Sequence, residues 1–177
     1  MNALTLRHGD LAIKQKAYNS VPKNNIYIVC DDINDCWNLG SILRIGDALG
    51  VKEVIFTGSS ELPTNKQVRR SSMMLADVMS WSYYSTTAMA LESLRNVCKT
   101  IVALEVSPNA IDYRKVNFGP LVKDGLAIIL GNENRGISEE ILTKADLVVK
   151  LPMFGINDSL NVSMALTVLG YHVLKEI

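Results

Sequence analysis

Three short segments of this 177-residue chain collect asparagine, serine, aspartate and glycine between apolar runs. The last of them, at 151–174, reads LPMFGINDSLNVSMALTVLGYHVL and places a polar loop between the end of a strand and an amphipathic helix. Helix capping by Asp158 or Ser159 explains one of its polar residues but neither Asn157 nor Asn161. The loop therefore predicts a pocket that grips a polar ligand, partly with backbone atoms that a glycine, Gly155, leaves free to adopt an unusual conformation.

A second polar segment, GNENRG at 131–136, directly follows the apolar run LAIIL. In open parallel α/β sheets, ligands bind at the carboxyl ends of the strands, where this loop is expected to lie. An ordinary loop before a short helix capped by Ser138 explains the same residues equally well. Both interpretations stay open on this segment alone.

The third segment, DCWNLGSILRIGDALG at 35–50, follows the first predicted strand. Its glycines allow tight turns or the close approach of other elements. Their spacing matches neither the dinucleotide-binding fingerprint nor a phosphate-binding loop. Arg44 falls on a helix dominated by apolar residues, and periodicity alone favours a surface arginine or an ion pair with Asp47.

Short β-rich runs alternate with helical periodicity along the chain. Strands are predicted at 26–31, 54–58, 78–84, 100–106, 126–131 and 146–152. Helices are predicted at 39–49, 66–75, 87–97 and 159–175, with a short one after Ser138. The run LAIIL is apolar on both faces, which is typical of a parallel strand covered on both sides. The sequence therefore predicts an α/β fold, with helices on both faces of a mostly parallel six-stranded sheet.

Composition excludes several classes of protein. The chain is 48% hydrophobic with no net charge, which favours a globular protein over a polyelectrolyte. No apolar run is long enough to cross a membrane, and the N-terminus lacks a secretory core. Cys30, Cys36 and Cys98 have neither disulfide nor zinc spacing, so we expect free thiols, no metal site and a cytoplasmic location.

Positive charge is uneven along the chain. We expect one domain at 26–177, preceded by a short basic extension at 1–25. Charge alone favours solvated surface patches, but contact with nucleic-acid phosphates needs only such local clusters. The basic residues in question lie in the extension and in the predicted helix at 66–75: Arg7, Lys14 and Lys16, and Lys66, Arg69 and Arg70.

Together and in this order, the three polar segments resemble the SpoU family of S-adenosylmethionine-dependent RNA ribose 2′-O-methyltransferases, part of the knotted SPOUT superfamily. The family's first motif, Asn-x-Gly with a following arginine, matches Asn38, Gly40 and Arg44. Its second, Gly-x-Glu-x-x-Gly, matches 131–136. Its third, Pro-Met-x-Gly followed by Ser-Leu-Asn-Val-Ser-x-Ala, matches segments within 152–165. The resemblance covers about 26–177.

Three departures from the family pattern leave the motif residues intact. Ile45 and Gly46 replace a usual Thr-Ala, the segment at 70–76 lacks a glycine common in the family, and His172 replaces a glutamate. The departure at 70–76 affects the surface expected to face RNA. Substrate choice is therefore the property that these departures affect most.

The resemblance implies a C-terminal segment that passes through a loop to make a deep trefoil knot. Such connections are rare, and periodicity alone would not predict one. It also implies that the knot loops bind S-adenosylmethionine, largely through backbone groups. The donor-binding residues implied in this way are Leu104, Gly131, Asn132, Glu133, Gly136, Leu151, Met153, Ser159 and Leu160.

For catalysis, the resemblance implies a central role for Arg44. This arginine either removes the hydroxyl proton or holds the adjacent phosphate. We favour the second role because a guanidinium has a pKa of ~12 or above. Asn38, Ser159 and Asn161 would orient groups around the reacting oxygen, and Glu133 would brace the loops.

Members of the family pair as homodimers, with the last helix near the interface. An apolar stripe on that helix suits such a contact: Val162, Leu166, Leu169, Val173 and Leu174. Core packing within one subunit explains the stripe equally well.

The implied partner is RNA, with tRNA favoured over ribosomal RNA because the chain is close to a minimal family domain. Arg44 and the two basic clusters are the residues expected to contact it, although disorder would explain 1–25 equally well. The alternatives are a ribosomal-RNA enzyme of the same class, a knotted RNA-binding protein without catalysis, and a generic nucleotide-binding α/β protein. The missing phosphate-binding loop argues against the last.

Overall fold

The computed structural model describes residues 11–177. Within them, a seven-stranded sheet has the order β3-β2-β1-β6-β4-β7-β5, and every neighbouring pair of strands is parallel. The strands are β1 (Asn24–Asp31), β2 (Val51–Thr57), β3 (Trp81–Tyr84), β4 (Thr100–Leu104), β5 (Ile111–Asp112), β6 (Leu126–Leu130) and β7 (Leu147–Lys150).

The helices between these strands are mostly short. They are α1 (Leu11–Ser20), α2 (Cys36–Ala48), α3 (Lys66–Ser71), α4 (Thr87–Leu94), α5 (Gly119–Asp124), α6 (Glu139–Leu142) and α7 (Val162–Lys175). Two 3₁₀ turns lie between these elements: Leu75–Asp77 comes before β3, and Tyr113–Lys115 comes before α5. Within residues 11–177, no helix is both long and apolar enough to cross a bilayer.

The predicted α/β fold with a parallel sheet is confirmed. All six expected strands are present, and the sheet gains a seventh, the two-residue β5, which pairs with β7. A pair of residues is too short to show the alternation that identifies a strand. The strand expected at 78–84 begins only at Trp81, because the chain before it is still leaving a 3₁₀ turn.

Each face of the sheet carries its own apolar core. Alternate residues of β1 point to opposite sides: Ile26 and Ile28 join the core under α2, α3, α5 and α7, while Tyr27 and Val29 join the core under α4 and α6. This period of two is the geometry of a strand, and burial on both sides explains the continuous apolar runs.

Part of the expected basic extension forms α1 and packs on the domain. Tyr18 is buried in the first core, and Gln15 Nε2 donates to the carbonyl of Val78 at 3.0 Å. Arg7 lies outside the described residues.

The apolar stripe of α7 packs within the subunit. Leu166, Leu169 and Val173 are fully buried in the first core, and Val162 and Leu174 pack against it. A Cβ at Gly170 would lie 2.3 Å from Leu49 Cδ1, so glycine allows α7 to approach the end of α2 closely. The interpretation of the stripe as core is therefore the correct one.

Candidate active site

A cavity of about 590 Å³ opens at the carboxyl edge of the sheet, where β4, β6 and β7 end side by side. Leu104 is level with Leu130 on one side and with Val149 on the other, so the loops that follow these strands meet in space. The start of α7 closes the remaining wall. All nine residues that the sequence assigned to the methyl donor line this cavity: Leu104, Gly131, Asn132, Glu133, Gly136, Leu151, Met153, Ser159 and Leu160.

Two hydrogen bonds join the three polar segments at the cavity. Asn161 Nδ2 donates to Asn38 Oδ1 at 2.9 Å, and Asn38 Nδ2 donates to Glu133 Oε1 at 2.8 Å. Asn38 is buried, so loss of either bond leaves a polar group without water. Glu133 thus ties the loop at 131–136 to the first turn of α2.

Helix capping holds the two asparagines in place. Asp35 is the N-cap of α2, and its carboxylate accepts from the backbone N–H of Asn38 at 2.8 Å. The N-cap of α7 is Asn161, whose Oδ1 accepts from the backbone N–H of Ser163 at 3.0 Å. The expectation that Asp158 or Ser159 caps this helix is therefore wrong. One amide of Asn161 both caps α7 with its oxygen and reaches Asn38 with its nitrogen.

The loop at 131–136 needs its two glycines for steric reasons. Asn132 Oδ1 accepts from the backbone N–H groups of Asn134 and Arg135, which folds the loop back on itself. Gly136 has a φ of +64°, and a Cβ at Gly131 would lie 2.6 Å from the carbonyl carbon of Gly136. By contrast, Gly155 has no positive φ and open space around it, so its expected unusual backbone is not found.

Glu105 is a cavity residue that the sequence reasoning missed. Its Oε1 accepts from the backbone N–H of Val106, and its Oε2 accepts from that of Ile137, both at 2.7 Å. The carboxylate thereby ties the end of β4 to the loop at 131–136. The available signal was one acidic residue at the end of the otherwise apolar strand TIVALEV.

The rim of the cavity is held by a polar cluster around Asp32. This residue has a φ of +54°, and its Oδ1 accepts from the backbone N–H of Ser59 at 2.7 Å. Asn132 Nδ2 donates to its carbonyl at 2.7 Å, and Arg135 lies 3.7 Å from its carboxylate. These contacts fix the loop after β6 against the loop after β1.

Arg44 is exposed on α2 and does not line the cavity. The structure shows no ion pair between Arg44 and Asp47, and no side-chain hydrogen bond from Arg44 to any of the residues 11–177. The expected alternative of an ion pair is therefore wrong, whereas that of a surface arginine agrees with the exposed side chain. A guanidinium with no internal partner remains available for a phosphate.

The second basic cluster surrounds a smaller cavity of about 350 Å³. Lys66, Arg69, Arg70 and Met74 line it. Arg69 Nη2 lies 2.9 Å from Asp77 Oδ2, and this hydrogen bond raises the pKa of Arg69. Lys14 and Lys16 lie on α1 and do not line either cavity.

The segment at 70–76, where the family often has glycine, has an uncommon backbone. Met73 and Met74 have φ values of +53° and +69°, in the left-handed region. Met74 N donates to the carbonyl of Arg69, and Met73 N to that of Arg70, which is how a glycine usually ends a helix. The methionines keep the turn without glycine at a cost of about 1–2 kcal/mol for each residue.

The sheet is parallel and has a polar cavity at its carboxyl edge, and hydrogen bonds from asparagine side chains join the segments around it. This arrangement defines an α/β protein that binds a small molecule beside a basic surface. Within 11–177, no group of acidic, histidine or cysteine residues is arranged to hold a metal. The sequence model of the SpoU rRNA Methylase family matches residues 25–171. The chain belongs to that family.

Known proteins share both its sequence and its fold. The chain is 32% identical over 149 residues to an uncharacterized tRNA/rRNA methyltransferase, MG252, of Mycoplasma genitalium, which covers 83% of this chain and 60% of that protein. It therefore spans about three fifths of that relative's length.

Two solved structures show the same fold. An AdoMet-bound rRNA methyltransferase from Sinorhizobium meliloti has a TM-score of 0.79 and 23% identity, over 90% of this chain and 60% of the other. A structure concerned with 2-OH methylation of C/U34 on tRNA has a TM-score of 0.75 and 22% identity, over 85% of this chain and 95% of the other.

Proposed function

We propose that this chain is an S-adenosylmethionine-dependent RNA methyltransferase that acts on a ribose 2′-hydroxyl. The observation that carries the proposal is the hydrogen-bonded series Asn161–Asn38–Glu133 at the edge of the 590 Å³ cavity. It unites all three family motifs in one site.

The cavity suits the methyl donor in size and in chemistry. Its volume falls within the range of small-molecule sites, which is roughly 300–1,000 Å³. Apolar residues such as Leu104 and Leu160 alternate with the carboxylates of Glu105 and Asp158 along its lining. These groups match a ligand that carries both an adenine ring and positive charge. When bound, S-adenosylmethionine supplies a methyl group on a sulfonium, which is already a reactive electrophile.

The protein's own part in the reaction is to position the ribose and to favour loss of its proton. A 2′-hydroxyl is a weak nucleophile, so alignment and electrostatic activation supply much of the rate. Arg44 holds the neighbouring phosphate, while Ser159 and Asn161 orient the hydroxyl. Glu133 keeps Asn38, and through it Asn161, in the correct rotamer. Proton loss then goes to phosphate or water, since a guanidinium with a pKa of ~12 is a poor base.

tRNA is the RNA we favour. The relative from Mycoplasma genitalium is named a tRNA/rRNA methyltransferase, so both RNAs are candidates, and we place tRNA first. Ribosomal RNA is the second candidate. Lys66, Arg69 and Arg70 line a cavity that suits phosphate. Helix α1, which carries Lys14 and Lys16, packs beside the end of the 3₁₀ turn at Leu75–Asp77, where Gln15 donates to the carbonyl of Val78.

We further infer a homodimer and a trefoil knot. With its apolar stripe buried, α7 still exposes a second apolar row, Met164, Val168 and Tyr171, which suits a partner subunit. The knot is supported by the position of β7 between β4 and β5 and by the reach of Asn161 back to α2. Free thiols at Cys30, Cys36 and Cys98 fit a cytoplasmic protein.

The direct test is methyl transfer by the purified full chain. Labelled S-adenosylmethionine is incubated with total tRNA or with ribosomal RNA, and the product is hydrolysed in alkali. We expect label in tRNA, within dinucleotides that resist cleavage because a 2′-O-methyl group blocks the attacking hydroxyl. Label in alkali-sensitive nucleotides would contradict the ribose assignment, and label in ribosomal RNA alone would contradict the tRNA assignment. No transfer to either RNA would contradict the function.

A further inference from the structure

Trp37 is a large aromatic side chain left in solvent beside the proposed active site. It is 69% exposed, and its indole N–H makes no hydrogen bond within the described part of the chain. Its neighbour Asn38 is the buried amide that connects Asn161 to Glu133. Trp37 is therefore the residue directly before Asn38 in the sequence.

The first turn of α2 fixes where Trp37 points. The Asp35 carboxylate accepts from the backbone N–H of Trp37 at 2.7 Å, which sets the start of the helix. Arg44 follows after about two helical turns, so the indole and the guanidinium lie on the same face, about 10 Å apart along the axis. Both side chains are exposed.

Helix α3, which carries the basic cluster, packs against α2 on the neighbouring face. Ser71 Oγ donates to the carbonyl of Cys36 at 2.7 Å, directly before Trp37. Gly40 permits that contact, because a Cβ there would lie 1.9 Å from Ser71 Oγ. Arg70 precedes Ser71 in sequence and is exposed, so α3 supplies a second cation beside the helix that carries Trp37 and Arg44.

We propose that Trp37 stacks on an RNA base at or next to the methylated ribose, an inference that rests on the proposed function. Every base offers a π-face to an aromatic ring, while Arg44 and Arg70 contact phosphates. A base reaches the indole only when it has left the helical stack. The substrate is therefore a nucleotide in an RNA loop or other single-stranded segment, not within a continuous duplex. A second copy of the chain would also cover Trp37, but the exposed cations Arg44 on α2 and Arg70 on α3 favour a polyanion.

Tryptophan fluorescence tests the stacking directly. The chain has two tryptophans, and Trp81 is held internally by a hydrogen bond to the carbonyl of Ala76 and an edge contact with Phe56. The full chain is titrated with a synthetic RNA hairpin that has an open loop, and with the same sequence as a continuous duplex. We expect the hairpin to quench the exposed indole and the duplex to leave it unquenched.

Variants make the test quantitative. Trp37→Ala should bind the hairpin roughly 5- to 150-fold more weakly, whereas Trp37→Phe, which keeps a π-face, should stay within roughly fivefold of wild type. Met89→Ala is the control, because Met89 is exposed on α4 on the opposite face of the sheet. Calorimetry should show unchanged S-adenosylmethionine binding in Trp37→Ala.

Three results would overturn the stacking role. They are no hairpin binding by wild type, equal binding by Trp37→Ala and wild type, or hairpin affinity lost together with a change of sedimentation coefficient. The last result would assign the indole to an interface between copies. Failure of the proposed function looks different: the hairpin binds and quenches Trp37, but no RNA receives labelled methyl.

Discussion

The amide nitrogen of Asn161 donates a 2.9 Å hydrogen bond to the side-chain oxygen of Asn38, 123 residues away in the chain. Asn38 in turn has only one amide, which donates to Glu133 from its nitrogen end. Each side chain in this series therefore has a fixed role: Asn161 donates, Asn38 accepts and donates, and Glu133 accepts.

Asn161→Asp should separate capping from the function of the site. Aspartate caps α7 as well as asparagine does. However, the central amide of Asn38 would then face a carboxylate at each end, with a donor for only one of them. We expect an unfolding free energy within about 1–2 kcal/mol of wild type, the range for one unsatisfied group, and kcat/KM at least ~10-fold lower.

Asn161→Ala is the matched variant, since it removes both roles and should lose about 0.5–2 kcal/mol of stability from the cap alone. Guanidinium unfolding and methyl-transfer kinetics measure the two effects. Full activity in Asn161→Asp would show that the contact with Asn38 has no part in catalysis.

Arg44→Ala should abolish methyl transfer and leave donor binding nearly intact. The arginine is exposed, lies outside the cavity and has no ion pair in the described chain, so stability should change by less than about 0.5 kcal/mol. Calorimetry with S-adenosylmethionine and a transfer assay check this. Lys123→Ala, an exposed cation on α5, controls for the change of net charge. A fall in donor affinity equal to the fall in turnover would show that the assigned role is wrong.

Gly40→Ala should destabilise the protein through the contact between α2 and α3. The added methyl would lie 1.9 Å from Ser71 Oγ and 2.7 Å from the Ser71 carbonyl carbon, and backbone cannot yield as a side-chain end does. Overpacking of this kind costs about 1–3 kcal/mol. Gly155→Ala is the control, because nothing lies within 4 Å of the new Cβ. Equal chemical denaturation midpoints for the two variants would contradict the close packing.

Leu166→Ala and Met164→Ala should behave differently although both residues lie on α7. Leu166 is fully buried, and its truncation should cost about 2–5 kcal/mol. Met164 is exposed in one subunit, so its truncation should leave the monomer's stability almost unchanged but weaken a dimer formed through that row. Thermal unfolding and sedimentation at several protein concentrations measure the two effects. Wild-type protein that sediments as a monomer throughout would remove the dimer.

Asp31→Asn should change how stability depends on pH. Burial raises the pKa of Asp31 above 3.8; the charge of Asp32 adds to this, while a hydrogen bond from Thr87 and the charge of Arg135 oppose it. With a higher pKa in the folded state, this carboxyl stabilises the fold below pH 3.8 and loses that contribution as the pH rises through the folded value. The variant should therefore gain stability relative to wild type between about pH 4 and 7.

Asp112→Asn is the control of opposite sign. Its hydrogen bond from Arg114 lowers the pKa of Asp112 to about 2, so its contribution is complete above pH ~4 and is lost only in stronger acid. Urea unfolding at several pH values should show a flat difference between Asp112→Asn and wild type above that point. A flat difference for Asp31→Asn would contradict the effect of burial.

The sequence predicted the sheet type because it depends on local patterns, and the family resemblance implied the donor-binding residues that line the cavity. Apolar runs such as LAIIL carry the signature of strands buried on two sides, and the motif loops follow those strands directly. Parallel order then brings the loops to one edge of the sheet.

What the sequence did not predict depends on distant contacts. Asp158, Ser159 and Asn161 are equally good N-caps, and the choice among them is made by Asn38 on another helix. Glu105 is hidden within a strand-like run, and its partner Ile137 lies 32 residues later. Neither contact produces a periodic pattern in the sequence from which it could be predicted.

The pairing of β1 with β6 sets an order on biosynthesis. Ile26 to Cys30 lie between β2 and β6, and β6 begins only at Leu126. Until the ribosome has delivered that segment, β1 has one edge of its backbone unpaired. Such edges recruit other strands. The nascent chain therefore needs chaperones to protect this edge of β1 while the roughly one hundred intervening residues are synthesised.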